Sequence, residues 1–132
     1  MVSNYKSVCV GSLILIGSFT LRFLHLGDIP GPTFDEVFYP FYGFSYLTDK
    51  NFYYVHPPLA NYLYAAAIWI YHQLPWIDIT SIDALSFEQL TPLSYRWLNA
   101  LFGSLLCLLA YFVAYAVWKN TNFALIVCFF VV

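Results

Sequence analysis

The sequence opens with a long apolar stretch. Lys6 and Arg22 bracket 15 uncharged residues, and the apolar run continues to Leu26 if the arginine extends its guanidinium toward the lipid headgroups. A helix of about 20 apolar residues spans the hydrocarbon core of a bilayer. A cleaved signal peptide begins in the same way, but no small-residue cleavage site follows this stretch. We therefore predict an uncleaved transmembrane helix over residues 7–26.

A second long apolar stretch lies between Arg96 and Lys119, which bracket 22 uncharged residues. Tyrosine and tryptophan residues stand near both ends, where amphipathic rings favour the membrane–water interface. This stretch predicts a transmembrane helix over residues 95–118. A further apolar run over residues 123–132 is too short to span a bilayer. We predict that it begins a truncated transmembrane helix and that the chain is an amino-terminal fragment.

The apolar segment over residues 59–74 is harder to place. As a helix it is about 24 Å long, shorter than a hydrocarbon core of about 30 Å. If it spans the membrane, residues 75–94 become cytoplasmic, although they contain three acids and no lysine or arginine. Cytoplasmic loops are usually enriched in basic residues. We therefore favour an interfacial or re-entrant helix over 59–74 inside one large extracytoplasmic loop, residues 27–94.

Composition supports a membrane protein and excludes other classes. The chain is 61% hydrophobic and only 9% charged, whereas soluble domains carry about 25% charged residues. Five basic residues and a net charge of -2 provide no surface for nucleic acid. Three cysteines without CxxC spacing argue against a disulfide framework or a zinc site. We predict an all-α integral membrane protein with two to three transmembrane helices and membrane lipid as a partner.

Two adjacent carboxylates, Asp35 and Glu36, stand out in so charge-poor a chain. A carboxylate in a partly apolar site can accept a proton from an attacking hydroxyl, and a neighbouring charge tunes its pKa. A structural interpretation is equally open, because Thr33-Phe34-Asp35-Glu36 has the spacing of a helix capping box. The two roles are compatible. Pro40 predicts that a helix beginning at Phe34 is short or kinked.

His56 and Arg96 are the remaining candidates for chemistry. His56 precedes Pro57-Pro58, which excludes it from helical geometry, and it is either a structural hydrogen-bonding residue or a ligand. Its spacing from Asp35 and Glu36 matches no specific metal motif, so we predict no metal site and no cofactor. Arg96 is either an interfacial anchor or a planar donor for a phosphate or a carboxylate.

In order along the chain, these pieces resemble the start of the protein O-mannosyltransferase/ArnT-like glycosyltransferases, which have the GT-C fold. The resemblance rests on four segments. They are Leu21-Arg22-Phe23, Phe34-Asp35-Glu36, the stretch from Phe52 through His56-Pro57-Pro58-Leu59, and Tyr95-Arg96-Trp97-Leu98-Asn99-Ala100-Leu101-Phe102-Gly103. The chain looks closest to bacterial members that use lipid-carried sugars, and the resemblance covers only about the amino-terminal quarter of such a protein.

The resemblance implies transfer of a sugar from a polyprenyl-phosphate donor to a protein or glycan acceptor at the extracytoplasmic face of a membrane, in this case a bacterial plasma membrane. It implies that Asp35 is the catalytic base and that Glu36 supports the site. Arg96 would contact Glu36 or the donor phosphate, and His56 would shape the adjoining loop and help to bind the donor. Since most of the donor cavity would be missing, we expect the chain alone to be inactive. The alternative is a small non-catalytic membrane protein that acts through interactions.

Overall fold

The computed structural model describes residues 2–51, 53, 58–77 and 81–131. Within these residues the protein is all-helical, as predicted, and has no strand. Five α-helices follow one another along the chain: α1 Val2–Phe23, α2 Tyr39–Leu47, α3 Leu59–His72, α4 Leu93–Trp118 and α5 Thr121–Phe129. Three short 3-10 helices, Phe34–Val37, Ile82–Ala84 and Phe87–Gln89, lie between them.

The chain divides into two compact units. One contains Met1–His25 and Asn99–Val132, and the other contains Leu26–Leu98. Among the described residues, α4 is the one helix that is long and apolar enough to cross a membrane by length and composition, and Cys9–Phe23 of α1 is a shorter apolar helix.

The unit formed by α1, α5 and most of α4 has a core of small and aromatic residues. Its buried cluster is Cys107, Tyr111, Ala114, Ala124 and Cys128. The hydroxyl of Ser18 donates to the Sγ atom of Cys107 over 3.2 Å, which joins α1 to α4. Within α4, the Ser104 hydroxyl is satisfied locally, because it donates to the carbonyl of Ala100 over 2.8 Å.

The second unit is built around the packing of α2 on α3. At Gly43 the two backbones approach so closely that a Cβ would lie 2.8 Å from the backbone nitrogen of Ala65. Its buried apolar cluster is Phe44, Ile68, Phe87, Leu90 and Tyr95. The 3-10 helices Ile82–Ala84 and Phe87–Gln89 and the start of α4 therefore complete one core with α2 and α3. The indole of Trp97 also donates to the carbonyl of Ala67 over 3.2 Å.

Helix α3 has two contrasting faces at the same helical spacing. Its buried stripe is Asn61, Ala65, Ile68 and His72. The stripe displaced by two residues, on the opposite side, is exposed and wholly apolar: Leu59, Leu63, Ala66 and Ile70. In a water-soluble helix the apolar side chains are usually buried and the polar ones exposed. In α3 the exposed stripe is apolar, and the buried stripe begins and ends with the polar residues Asn61 and His72.

Candidate functional site

The segment that carries the two adjacent carboxylates is a turn followed by one 3-10 helix. Gly31 adopts a φ of 73°, which glycine tolerates because it has no Cβ. Phe34 opens the 3-10 helix Phe34–Val37 with a φ of 45° and is 88% exposed. A bulky residue in that region costs about 1–3 kcal/mol, and such strain is typical of functional segments. This 3-10 helix ends before α2, and Pro40 lies in the first turn of α2. The helix that begins at Phe34 is therefore short, as predicted from the position of Pro40.

Glu36 is held from both sides. Its Oε2 atom accepts hydrogen bonds from the backbone N–H of Thr33 over 2.9 Å and from the Thr33 hydroxyl over 3.1 Å. The first of these bonds is the glutamate half of the predicted capping box. From the other side, the guanidinium of Arg96 donates Nε to Oε1 over 2.8 Å and Nη2 to Oε2 over 2.7 Å. Glu36 therefore links its own turn to the start of α4.

The guanidinium of Arg96 also closes the turn that precedes Glu36. Its Nη1 atom donates to the carbonyls of Leu26 over 3.2 Å and of Ile29 over 2.8 Å, and Nη2 donates to the carbonyl of Gly31 over 2.8 Å. With the two bonds to Glu36 this makes five, which is the full donor capacity of an arginine. The Arg96 side chain is only 8% exposed.

The ion pair alters the acidity of Glu36. Burial acts to raise the pKa of Glu36, but the hydrogen bonds from Arg96 and Thr33 and the positive charge of Arg96 outweigh it, so the pKa lies below its usual value. Glu36 is consequently a carboxylate near neutral pH, with its oxygens already occupied by donors.

Asp35, the adjacent residue, is in the opposite situation. Its side chain is exposed, and no group in the described part of the chain hydrogen-bonds its carboxylate. Both carboxylate oxygens are open to a substrate, while the strained Phe34 and the anchored Glu36 fix the backbone on either side. The arrangement can present one available base on a rigid support.

Of the four predicted site residues, the structure brings Glu36 and Arg96 together and places Asp35 next to them. His56 lies outside the described residues, and so does any grouping of His56 with the two acids. Sequence reasoning missed the three backbone carbonyls that accept from Arg96. Carbonyls exist at every residue, so no side-chain pattern could have indicated these three.

Similarity to known proteins extends over nearly the whole chain. Residues 12–132 match the family model described as dolichyl-phosphate-mannose-protein mannosyltransferase. Dolichyl-phosphate-mannose–protein mannosyltransferase 6 of Saccharomyces cerevisiae is 32% identical over 115 residues, which cover 86% of this chain and 15% of the yeast protein. The chain therefore spans about 15% of the length of that relative. No solved structure matches it.

Proposed function

The chain belongs to the dolichyl-phosphate-mannose-protein mannosyltransferase family, and we propose that it carries the catalytic base of a mannosyl transfer. This membership confirms the resemblance drawn from the motifs. The proposed donor is dolichyl-phosphate mannose and the proposed acceptor is a protein hydroxyl, which narrows the predicted polyprenyl-phosphate donor and the protein or glycan acceptor. The observation that carries the proposal is the contrast between the open carboxylate of Asp35 and the occupied carboxylate of Glu36.

Asp35 acts as the general base in this proposal. Its carboxylate takes the proton of the acceptor hydroxyl while the hydroxyl oxygen forms a bond to the anomeric carbon of mannose. The bond between that carbon and the phosphate oxygen breaks, and its electron pair leaves with dolichyl phosphate. A single displacement of this kind inverts the anomeric configuration. A positioned base contributes about 100-fold or more to such a step.

Glu36 and Arg96 are positioning residues in this scheme. Each N–H of the Arg96 guanidinium already has an acceptor within its unit, so the geometry favours the predicted contact with Glu36 over a contact with the donor phosphate. The role of His56 in shaping the loop and binding the donor remains a prediction from the family resemblance.

The proposed setting is a GT-C membrane domain in which α1 and α4 cross the bilayer and residues 27–94 lie outside the cytoplasm. The exposed apolar stripe of α3 supports a position of that helix along the membrane surface. The bacterial plasma membrane stays a prediction, and the yeast origin of the similar protein favours a eukaryotic membrane instead. A cysteine introduced at position 85 should react with an impermeant reagent only from the non-cytoplasmic side. Labelling from the cytoplasmic side would overturn this topology.

The test of the chemistry uses the full-length gene product in membranes, with dolichyl-phosphate mannose and a serine- and threonine-containing peptide. We expect Asp35→Asn to lower kcat about 100-fold or more, since only the base is removed. Glu88→Gln is the control, because Glu88 is an exposed acid in another 3-10 helix of the same unit. Transfer by Asp35→Asn at the wild-type rate would show that Asp35 is not the base.

A further inference from the structure

A groove in the second unit lies apart in sequence from the carboxylate pair. Its volume is about 290 Å³, near the lower end of the range for small-molecule sites. It is lined by the end of α2, the last turn of α3 and the 3-10 helix Ile82–Ala84: Leu47, Trp69, His72, Gln73, Ser81, Ile82 and Asp83. None of these residues belongs to the network of Glu36 and Arg96.

The wall and floor of the groove suit the apolar face of a ring. Leu47 and Ile82 contribute aliphatic surface. Trp69 lies between the buried and the exposed stripes of α3 and remains 52% exposed. An indole with an open face offers a flat apolar surface together with one N–H donor.

His72 lines the groove and supplies one hydrogen-bond acceptor, the Nε2 atom of its neutral ring. Its ring is 7% exposed, and its Nδ1 atom lies 2.8 Å from the carbonyl oxygen of Ile68. A carbonyl only accepts, so Nδ1 carries the proton in the neutral ring and Nε2 is left as an acceptor. The helix backbone thus determines the tautomer of a buried residue that lines the groove.

The rim of the groove is polar and carries one negative charge. Gln73, Ser81 and Asp83 are exposed there and provide amide, hydroxyl and carboxylate groups. No described group hydrogen-bonds the Asp83 carboxylate. A carboxylate accepts well from two neighbouring hydroxyls and repels phosphate. The rim therefore disfavours an anion and suits a ligand with several hydroxyl groups.

We propose that this groove binds one neutral hexopyranose unit. The apolar ring face would stack on Trp69, and vicinal hydroxyls would donate to Asp83 and to Nε2 of His72. The inference goes beyond the proposed function, because it assigns a carbohydrate-binding site that shares no residue with the catalytic base. It holds whether or not Asp35 is catalytic.

The experiment measures binding of methyl α-D-mannopyranoside to the full-length gene product by saturation-transfer difference NMR. The protein is held in a detergent without a sugar headgroup, so that the detergent cannot compete. We expect saturable binding with transfer concentrated on ring C–H protons. Mannose 6-phosphate should bind more weakly because of Asp83.

Two pairs of variants separate the groove from the rest of the molecule. Trp69→Ala should weaken binding at least tenfold, whereas Trp76→Ala should not change it, because Trp76 is 74% exposed and does not line the groove. Trp69→Phe should retain measurable binding, which guards against a folding defect. Asp83→Asn should remove the preference against mannose 6-phosphate, and Glu88→Gln should preserve it.

Three results would overturn the proposal. One is the absence of saturable binding by the wild-type protein. Another is equal loss of binding in the Trp69→Ala and Trp76→Ala variants. The third is tighter binding of inorganic phosphate than of the neutral sugar, which would mean an anion site. Each is independent of transferase activity, so failure here and failure of the Asp35 assignment are distinguishable.

Discussion

Each of the two units contains an arginine that is largely removed from solvent, and the two arginines are accommodated in different ways. Arg96 has five hydrogen bonds to a carboxylate and to three carbonyls of a preceding turn. Arg22 lies across Gly103, where a Cβ would be 2.8 Å from its Cζ atom, and it donates to the carbonyl of Val131 over 3.0 Å. Arg96 is positioned by its hydrogen-bond acceptors, whereas Arg22 also needs the space that Gly103 leaves because glycine has no Cβ.

The difference indicates what each arginine can do. The guanidinium of Arg96 organises the turn that precedes Asp35. Removing it would leave the Glu36 carboxylate with only its bonds from Thr33 and would take this donor from three carbonyls. The position of Arg22 requires close approach to a helix backbone, which glycine allows. The first arrangement should be sensitive to changes in hydrogen bonding, and the second to added volume.

The largest effect should come from Arg96→Ala. Removing one partner of a fully buried ion pair costs about 3–5 kcal/mol. Glu36 is 20% exposed and keeps its two bonds from Thr33, so the lower end of that range is expected here. We expect residues 26–36 to lose protection from amide hydrogen exchange. Arg96→Lys should recover only part of it, since an ammonium cannot donate in a planar fork. Lys119→Ala, a change at an exposed lysine, is the control, and equal exchange in Arg96→Ala and the control would contradict the positioning role.

A smaller effect should follow from Glu36→Gln, and it should depend on pH. The pKa of Glu36 is lowered in the folded protein, so its ionisation stabilises the fold above the ordinary pKa of 4.5. That contribution is lost as pH falls from there through the lowered pKa. The Tm of the wild-type protein should therefore fall as the pH is lowered through this range. In the Glu36→Gln variant, Tm should depend less on pH over the same range. If Tm depends on pH in the same way in both proteins, the stabilising role of the ion pair is contradicted.

The smallest effect should be that of Gly103→Ala in the other unit. The added methyl group must displace the Arg22 guanidinium, and overpacking of this kind costs about 1–3 kcal/mol. Gly17→Ala in α1 is the matched control, because nothing lies within 4 Å of its Cβ position. There alanine should stabilise the helix by about 0.5–1 kcal/mol. Opposite shifts in Tm for the two variants are expected, and equal shifts would refute the close packing of Arg22.

The sequence predicted where helices form better than where they end. The apolar run to residue 26 suggested a longer first helix, but α1 ends at Phe23 and His25 adopts a left-handed φ of 60°. Left-handed residues of this kind commonly follow helix ends. Helix α3 ends at His72, two residues before the predicted end at 74. Pro75 lies three residues after this end and disfavours helical geometry in Leu74, the residue before it.

From residue types and spacing alone, the candidate site was predictable as a set of residues, and only the family resemblance divided the roles between Asp35 and Glu36. Asp35 and Glu36 are adjacent, chemically similar and equally plausible as bases from their spacing. The structure separates them, because the Glu36 carboxylate is occupied by Arg96 and Thr33 while the Asp35 carboxylate is open. The groove lined by Trp69, His72 and Asp83 was not predicted, since these residues form no motif in the sequence.

The sequence by itself determined the helical class, the membrane character, the family and the pair of acids, because apolar periodicity and short motifs are local properties of a chain. Only the tertiary structure decided which carboxylate is free. That decision depends on Arg96, 60 residues from Glu36, and on three carbonyls that reach it when the turn closes. Hydrogen bonds over such separations are set by how the elements pack, and packing assigns different environments to neighbours that look alike in the sequence.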